Sequence, residues 1–361
     1  VARRWLWVVA AALLTAASSW GEGGKVYTGL HLYLSSRPAD DPEVMVESLC
    51  ETPGFIEAPA ERDLLVTPAD PEAFGDAELA LLGRDLAGLT AARTLRLDGT
   101  HVTDAGLVHL ARLTGLTELF LEDTQVTDAG LEHLAVLTGL RWLVLDRTRI
   151  DGVGLAHLKG LKDLADLWLD DTAVRDAGLE HVAALSSLRS LSLQRTNVTD
   201  AGLAHLAELT GLQGLQLTGT GVTDAGTAHL AKLTELASLS LDETGLTDAG
   251  LARLAELPGL ARLSLSGTGV TDAGLVHVAG MTGLVTLTLN NTHVTGAGLA
   301  HLAELRNLAW LALIGTDVGD DGLEYLTKLN GLESLFVHNS QVTDAGVARF
   351  EADLPGCRVY R

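Results

Sequence analysis

A single 24-residue unit recurs through most of this chain and constrains it more than any other feature. The stretch Leu116 to Gly139, LTELFLEDTQVTDAGLEHLAVLTG, is the clearest copy. Stepping by 24 from Thr124 lands on Thr100, Thr148, Thr172, Thr196, Thr220, Thr244, Thr268, Thr292 and Thr316, and finally on Ser340, so eleven copies keep register with no insertion or deletion. Self-similarity at this period marks a solenoid. Within a copy, L-x-x-L-x-L (Leu116, Leu119, Leu121) ends in the period-2 pattern of a short strand with one buried face. Thr127 is suited to cap a helix, with Asp128 in the first turn where the helix dipole favours negative charge. Leu131, Leu134 and Leu137 then fall at helical spacing. Each unit therefore reads strand, turn, short helix, return. Every strand re-enters from the same side, so successive strands must pair in parallel. One unit buries too little apolar surface to offset its ordering entropy, so stability must come from neighbouring units.

Three residue series recur across the copies. The position of Gly130 is glycine in all eleven, from Gly106 to Gly346. Glycine inside a helix costs about 1 kcal/mol relative to alanine, so its recurrence predicts close backbone approach between helix and neighbour. The threonine series predicts a ladder in which each buried hydroxyl bonds backbone of the adjacent turn. The third series is His109, His133, His157, His181, His205, His229, His277 and His301. Metal binding would need ring nitrogens about 3 Å apart around bonds of about 2 Å. Neighbouring helices lie about 8–10 Å apart, so these histidines are expected on a half-exposed helix flank and no metal site is expected.

The pattern L-x-x-L-x-L-x-x-T-x-V-T-D-A-G-L-x-x-L-A-x-L resembles the leucine-rich repeat in its T-D-x-G-L variety, found in bacterial exported repeat proteins, in F-box adaptors and, more loosely, in ribonuclease inhibitor. The match runs from Ala92 to about Pro355, 11 × 24 = 264 of the 361 residues. The resemblance implies an α/β solenoid, a leucine-rich-repeat horseshoe of eleven 24-residue strand–turn–helix units with a concave parallel sheet and convex helices. It also implies protein recognition rather than catalysis. Threonine stands where the family usually has Asn or Cys, which alters the ladder chemistry but not the fold.

Outside the repeats, residues 1–19 read as a signal peptide: Arg3 and Arg4, an apolar run from Trp5 to Ala17, and small residues at Ala17-Ser18-Ser19. An uncleaved anchor is the competing reading, and the expected location is extracytoplasmic. Residues 20–75 hold six of the eight prolines among many acids and read as an acidic spacer, with a strand or hairpin over Lys25 to Leu34. Residues 76–91 are expected to form an N-terminal capping helix, 92–350 the repeats, and 351–361 a C-terminal cap with a last strand at Cys357-Arg358-Val359. Cys50 and Cys357 flank ten strand spacings of about 4.8 Å. They are therefore expected to be free, or paired between chains.

Side chains flanking the buried strand leucines face outward, and there the copies diverge. The candidate partner-binding residues are Glu118, Phe120, Glu122, Trp142, Val144, Asp146, Asp166, Trp168 and Asp170, with Trp310 and Phe336 at the far end. Three of only six tryptophans fall on this face. Aromatics ringed by charge suit an interface, and the carboxylates favour a basic or mixed-charge protein partner. The competing reading is that these rings simply pack on one another. The formal charge of −22 and the lack of a basic stripe argue against nucleic acid. No D-x-D-x-D-G calcium loop is present. Gly267-Thr268-Gly269 lacks the third glycine of a dinucleotide loop, and no nucleophile–base pair stands apart from the periodic positions. The expectation is a non-catalytic binding module without cofactor. An intracellular adaptor and a structural surface protein are the alternatives.

Overall fold

Each L-x-L pair forms a three-residue strand whose central leucine is buried. In the computed structural model, residues 25–28, 32–37, 54–57, 63–68, 70–85 and 92–361 are described. Residues 1–19 and Cys50 lie outside them. The chain divides into two compact units, Val1–Ala173 and Val174–Arg361.

In the first unit, β1 (Lys25–Thr28) pairs antiparallel with β3 (Gly54–Glu57). β2 (Leu32–Arg37) pairs antiparallel with β4 (Asp63–Pro68), and β4 continues in parallel onto β5 (Ala92–Arg96). β6 (Glu118–Phe120), β7 (Trp142–Val144) and β8 (Asp166–Trp168) follow in parallel, with Leu95, Leu119, Leu143 and Leu167 in one column. Strands thus lie where Lys25 to Leu34 was expected to form a strand or hairpin, though they pair with β3 and β4 and not with each other. The rest of the expected spacer is strand-bearing too. An open edge at β5 would leave ladder groups unpaired, and the short run Asp63–Pro68 supplies the missing strand. Its signal was hidden by the prolines and acids around it.

The second unit has eight parallel strands: β9 (Ser190–Ser192), β10 (Gly214–Gln216), β11 (Ser238–Ser240), β12 (Arg262–Ser264), β13 (Thr286–Thr288), β14 (Trp310–Ala312), β15 (Ser334–Phe336) and β16 (Arg358–Tyr360). They keep register without a shift, from Leu191 opposite Leu215 to Leu335 opposite Val359. β16 covers the edge of β15, as the Cys357-Arg358-Val359 run suggested. Cys357 itself is buried and free, and burial pushes its thiol up to about 11.

The return segments are seven-residue α-helices at Asp176–Val182, Asp200–Leu206, Asp248–Leu254, Asp272–Val278 and Asp320–Leu326. Others tighten to 3-10 turns, as at Asp128–Leu134 and Gly298–Leu302, and the last lengthens to a ten-residue α-helix at Asp344–Asp353. The N-terminal helix spans Asp76–Asp85, with Leu79 and Leu82 fully buried.

The threonine series behaves differently from expectation. Each hydroxyl donates to the carbonyl three residues back in its own turn, Thr124 to Leu121 at 2.7 Å and Thr244 to Leu241 at 2.6 Å. Neighbouring units are tied instead by the aspartate of T-D-A-G-L. Asp104 accepts from the Thr127 N–H at 2.8 Å and from its hydroxyl at 2.6 Å, and the same double bond joins Asp200 to Thr223, Asp224 to Thr247 and Asp248 to Thr271. Asp76 of the N-terminal helix supplies it to Thr103. This clamp explains the glycine series. A Cβ on Gly130 would lie 2.4 Å from Asp104 Oδ1, and one on Gly250 2.4 Å from Asp224 Oδ1. The close approach is therefore to a carboxylate of the preceding unit.

Candidate binding face

Parallel, unshifted pairing lays the outward residues in rows across the strands. In the first unit, one row runs Thr94, Glu118, Trp142, Asp166 and the next Arg96, Phe120, Val144, Trp168. Just beyond the strand ends come Asp98, Glu122, Asp146 and Asp170.

The rings meet diagonally across these rows. Phe120 and Trp142 are 5.8 Å apart between centroids and Trp142 and Trp168 6.0 Å, both tilted, within the range of favourable aromatic pairs. The Arg96 guanidinium lies 4.7 Å from the Phe120 centroid and is held 2.9 Å from Asp98. Mutual packing of the rings, the competing reading of the sequence, is thus present, yet it leaves Trp168 37 % exposed. The Trp142 indole N–H is buried with no acceptor. Glu118 and Asp166 stand on either side of Trp142, in a cleft of about 400 Å³ shared with Arg93, Thr117 and Arg141.

Two of the candidate residues are not on the accessible surface. Val144, between Phe120 and Trp168 in its row, is 3 % exposed, and Asp146 is 7 % exposed. Asp146 Oδ1 accepts the Asp170 N–H at 2.8 Å, a bond that Asp242 makes to Ser266 and Asn290 to Ile314. The outward alternation of the strand does not hold at Asp146, because its carboxylate turns to the backbone of the next unit. Burial, with added repulsion from Asp170 and Glu122, raises Asp146 to about 7 despite the Asp170 N–H and Arg147. Burial also raises Asp166. Glu122 is engaged by Arg147, and Glu118 accepts from the Thr94 hydroxyl at 2.8 Å.

In the second unit, Trp310 and Phe336 pack at 4.7 Å, and Phe336 stacks on Tyr360 at 4.5 Å with planes 5° apart. Arg358 lies 5.1 Å from the Tyr360 centroid. Tyr360 and Arg96 had not been counted as site residues. Both follow from the period, since Tyr360 is 24 residues past Phe336 and Arg96 is 24 before Phe120. In the middle strands the outward groups are small and polar, with Asp242 accepting from the Ser264 hydroxyl at 2.6 Å.

The described members of the histidine series are half-buried or exposed on the return segments. No group of three or more His, Cys, Asp or Glu among the described residues is placed to hold a metal ion. No described helix is long and apolar enough to cross a membrane.

A family signature described as a leucine-rich repeat matches residues 184–207. An internalin from Listeria monocytogenes superposes with a TM-score of 0.59 at 27 % identity, covering 75 % of this chain and 81 % of that one. The fold is a leucine-rich-repeat solenoid. A leucine-rich-repeat protein from Leptospira interrogans aligns at a TM-score of 0.49 and 17 % identity, over 78 % of this chain and 80 % of that one. No curated protein matches the solenoid in sequence.

Proposed function

We propose that this leucine-rich-repeat chain is a non-catalytic, exported protein-binding module and that the outward face of β5–β8 is its recognition surface. The observation that carries this is the cluster Phe120–Trp142–Trp168, in which the Trp168 indole packs on Trp142 and stays half-open to solvent. Clustered aromatics ringed by polar groups are where binding energy concentrates. Glu118, Glu122, Asp166 and Asp170 around the rings favour a partner bearing Lys or Arg and speed its approach. Export rests on the basic, apolar and small-residue segments of residues 1–19.

The test uses the full chain as bait in envelope and extracellular extracts, with Trp168→Ala and Glu118→Lys/Asp166→Lys alongside. The wild type is expected to capture a partner that both variants lose. Equal capture by all three would move the site elsewhere on the solenoid.

A further inference from the structure

The strand rows that hold the two aromatic clusters differ in charge. On β5–β8, Trp142 is flanked by the carboxylates of Glu118 and Asp166, with Asp98, Glu122 and Asp170 beyond the strand ends. The one base in those rows, Arg96, is committed to Asp98, while Arg93 and Arg141 line the same cleft as Glu118 and Asp166 and Arg147 pairs with Glu122. On β12–β16, the row that holds Trp310 runs from Arg262 to Arg358, and His338 stands past Phe336. Among the described residues, the outward positions of β12–β16 hold no Asp or Glu. Glu333 precedes β15, and the Asp242 carboxylate past the end of β11 accepts from the Ser264 hydroxyl of β12. For a chain with 47 acidic and 25 basic residues, an acid-free set of strand rows that carries two arginines and three rings is an exception that the scaffold does not require.

We propose that the partner of the β5–β8 face is a second copy of this chain, docked through its β12–β16 face. The inference rests on the binding-face reading above and names the occupant. The strand rows of β5–β8 supply carboxylates and those of β12–β16 supply arginines. Glu118 and Asp166 meet Arg262 and Arg358, and arginine is the base enriched at interfaces because its planar fork suits carboxylates. Arg262 is exposed, and Arg358 rests on Tyr360, presented at the surface. The overall charge of −22 opposes association at long range. That repulsion is screened beyond about 8 Å at physiological salt, whereas the contact pairs are not. A basic peptide would fill β5–β8 alone and leave the acid-free rows unexplained.

Sedimentation equilibrium of the full chain over a wide concentration range at physiological salt tests this. The wild type is expected to self-associate. Glu118→Arg/Asp166→Arg and Arg262→Glu/Arg358→Glu should each weaken that association about tenfold or more. An equimolar mixture of the two charge-reversed variants should restore it, which also shows that both are folded. A wild type that stays monomeric throughout overturns the proposal. So does association that survives in both variants, or loss that the mixture fails to repair. A monomeric wild type that still captures a foreign partner through Trp168 would leave the binding-face reading standing. A monomer that captures nothing would end both.

Discussion

The residue before each ladder threonine sits in the left-handed region, from Gly99 at φ 66° through Arg147 at 53° and Glu243 at 56° to Asn339 at 55°. Glycine and asparagine accept that conformation readily, whereas Glu and Arg store strain there. Glu243→Gly is expected to raise stability by about 0.5–1 kcal/mol, after the entropy that glycine loses on folding, measured by urea unfolding. Gly267 and Gly315 already occupy the equivalent position, with φ of 68°. A second prediction concerns Asp146, whose folded-state value of about 7 lies above its ordinary 3.8. A carboxyl shifted upward contributes its stability fully below the ordinary value and loses it as pH rises through about 7. Asp146→Asn, which keeps the acceptor that Asn290 already provides to Ile314, should therefore stabilise the protein by an amount on the order of 2 kcal/mol above about pH 7. The gain should shrink toward about pH 4 and vanish below it, as thermal midpoints across pH would show.

At the scale of the repeat element, aspartate, threonine and glycine act as one joint. Gly250→Ala would press a Cβ against Asp224 and within 2.5 Å of the Leu246 side chain, and should cost about 2–3 kcal/mol. Asp224→Ala should cost about 0.5–1.5 kcal/mol through the two lost bonds from the solvent-exposed Thr247. Because the first fault is partly a clash with the second residue, the double variant should be less destabilised than the sum, by about 1 kcal/mol in a double-mutant cycle. Additive losses would mean that glycine is required for another reason. The same joint gives acid sensitivity. The two bonds from Thr343 hold the Asp320 carboxyl below its usual range, so its contribution is present above the ordinary value and lost as pH falls through the lowered one. The period made this element legible, since strand, cap and glycine could all be read from eleven aligned copies. Its bonding could not be read in the same way. Thr124 and Thr127 lie three residues apart, and nothing in the spacing says that the first bonds its own turn and the second bonds the aspartate of the unit before.

At the scale of the whole chain, the joints are not uniform. Gly296 stands where Asp would clamp and Gly319 where Thr would receive it, so both halves of one joint are absent together in the second unit. Gly319 makes no side-chain cap for the helix Asp320–Leu326, and the return segment after Gly296 is a short 3-10 turn at Gly298–Leu302. Amide exchange should be fastest, within the return segments of the second unit, between Gly296 and Gly322. Uniform protection would show that the clamp adds little to local stability. The fold was legible from periodicity because every unit repeats the same solution. Of the strands before β5, the run Lys25 to Leu34 announced β1 and the start of β2, but β3 and β4 follow no period and lie among prolines and acids. The candidate face was legible in part. Strand alternation placed Trp142, Trp168, Trp310 and Phe336, but it could not tell that Val144 is buried or that Asp146 is turned to backbone. The account stands on recognition through the sheet face rather than the helix flank. The most direct measurement is the dissociation constant of the captured partner for wild type, Trp168→Ala and His181→Ala/His205→Ala. A loss of about tenfold or more in the tryptophan variant, with the histidine variant unchanged, is the predicted result. Loss in the histidine variant alone would contradict it.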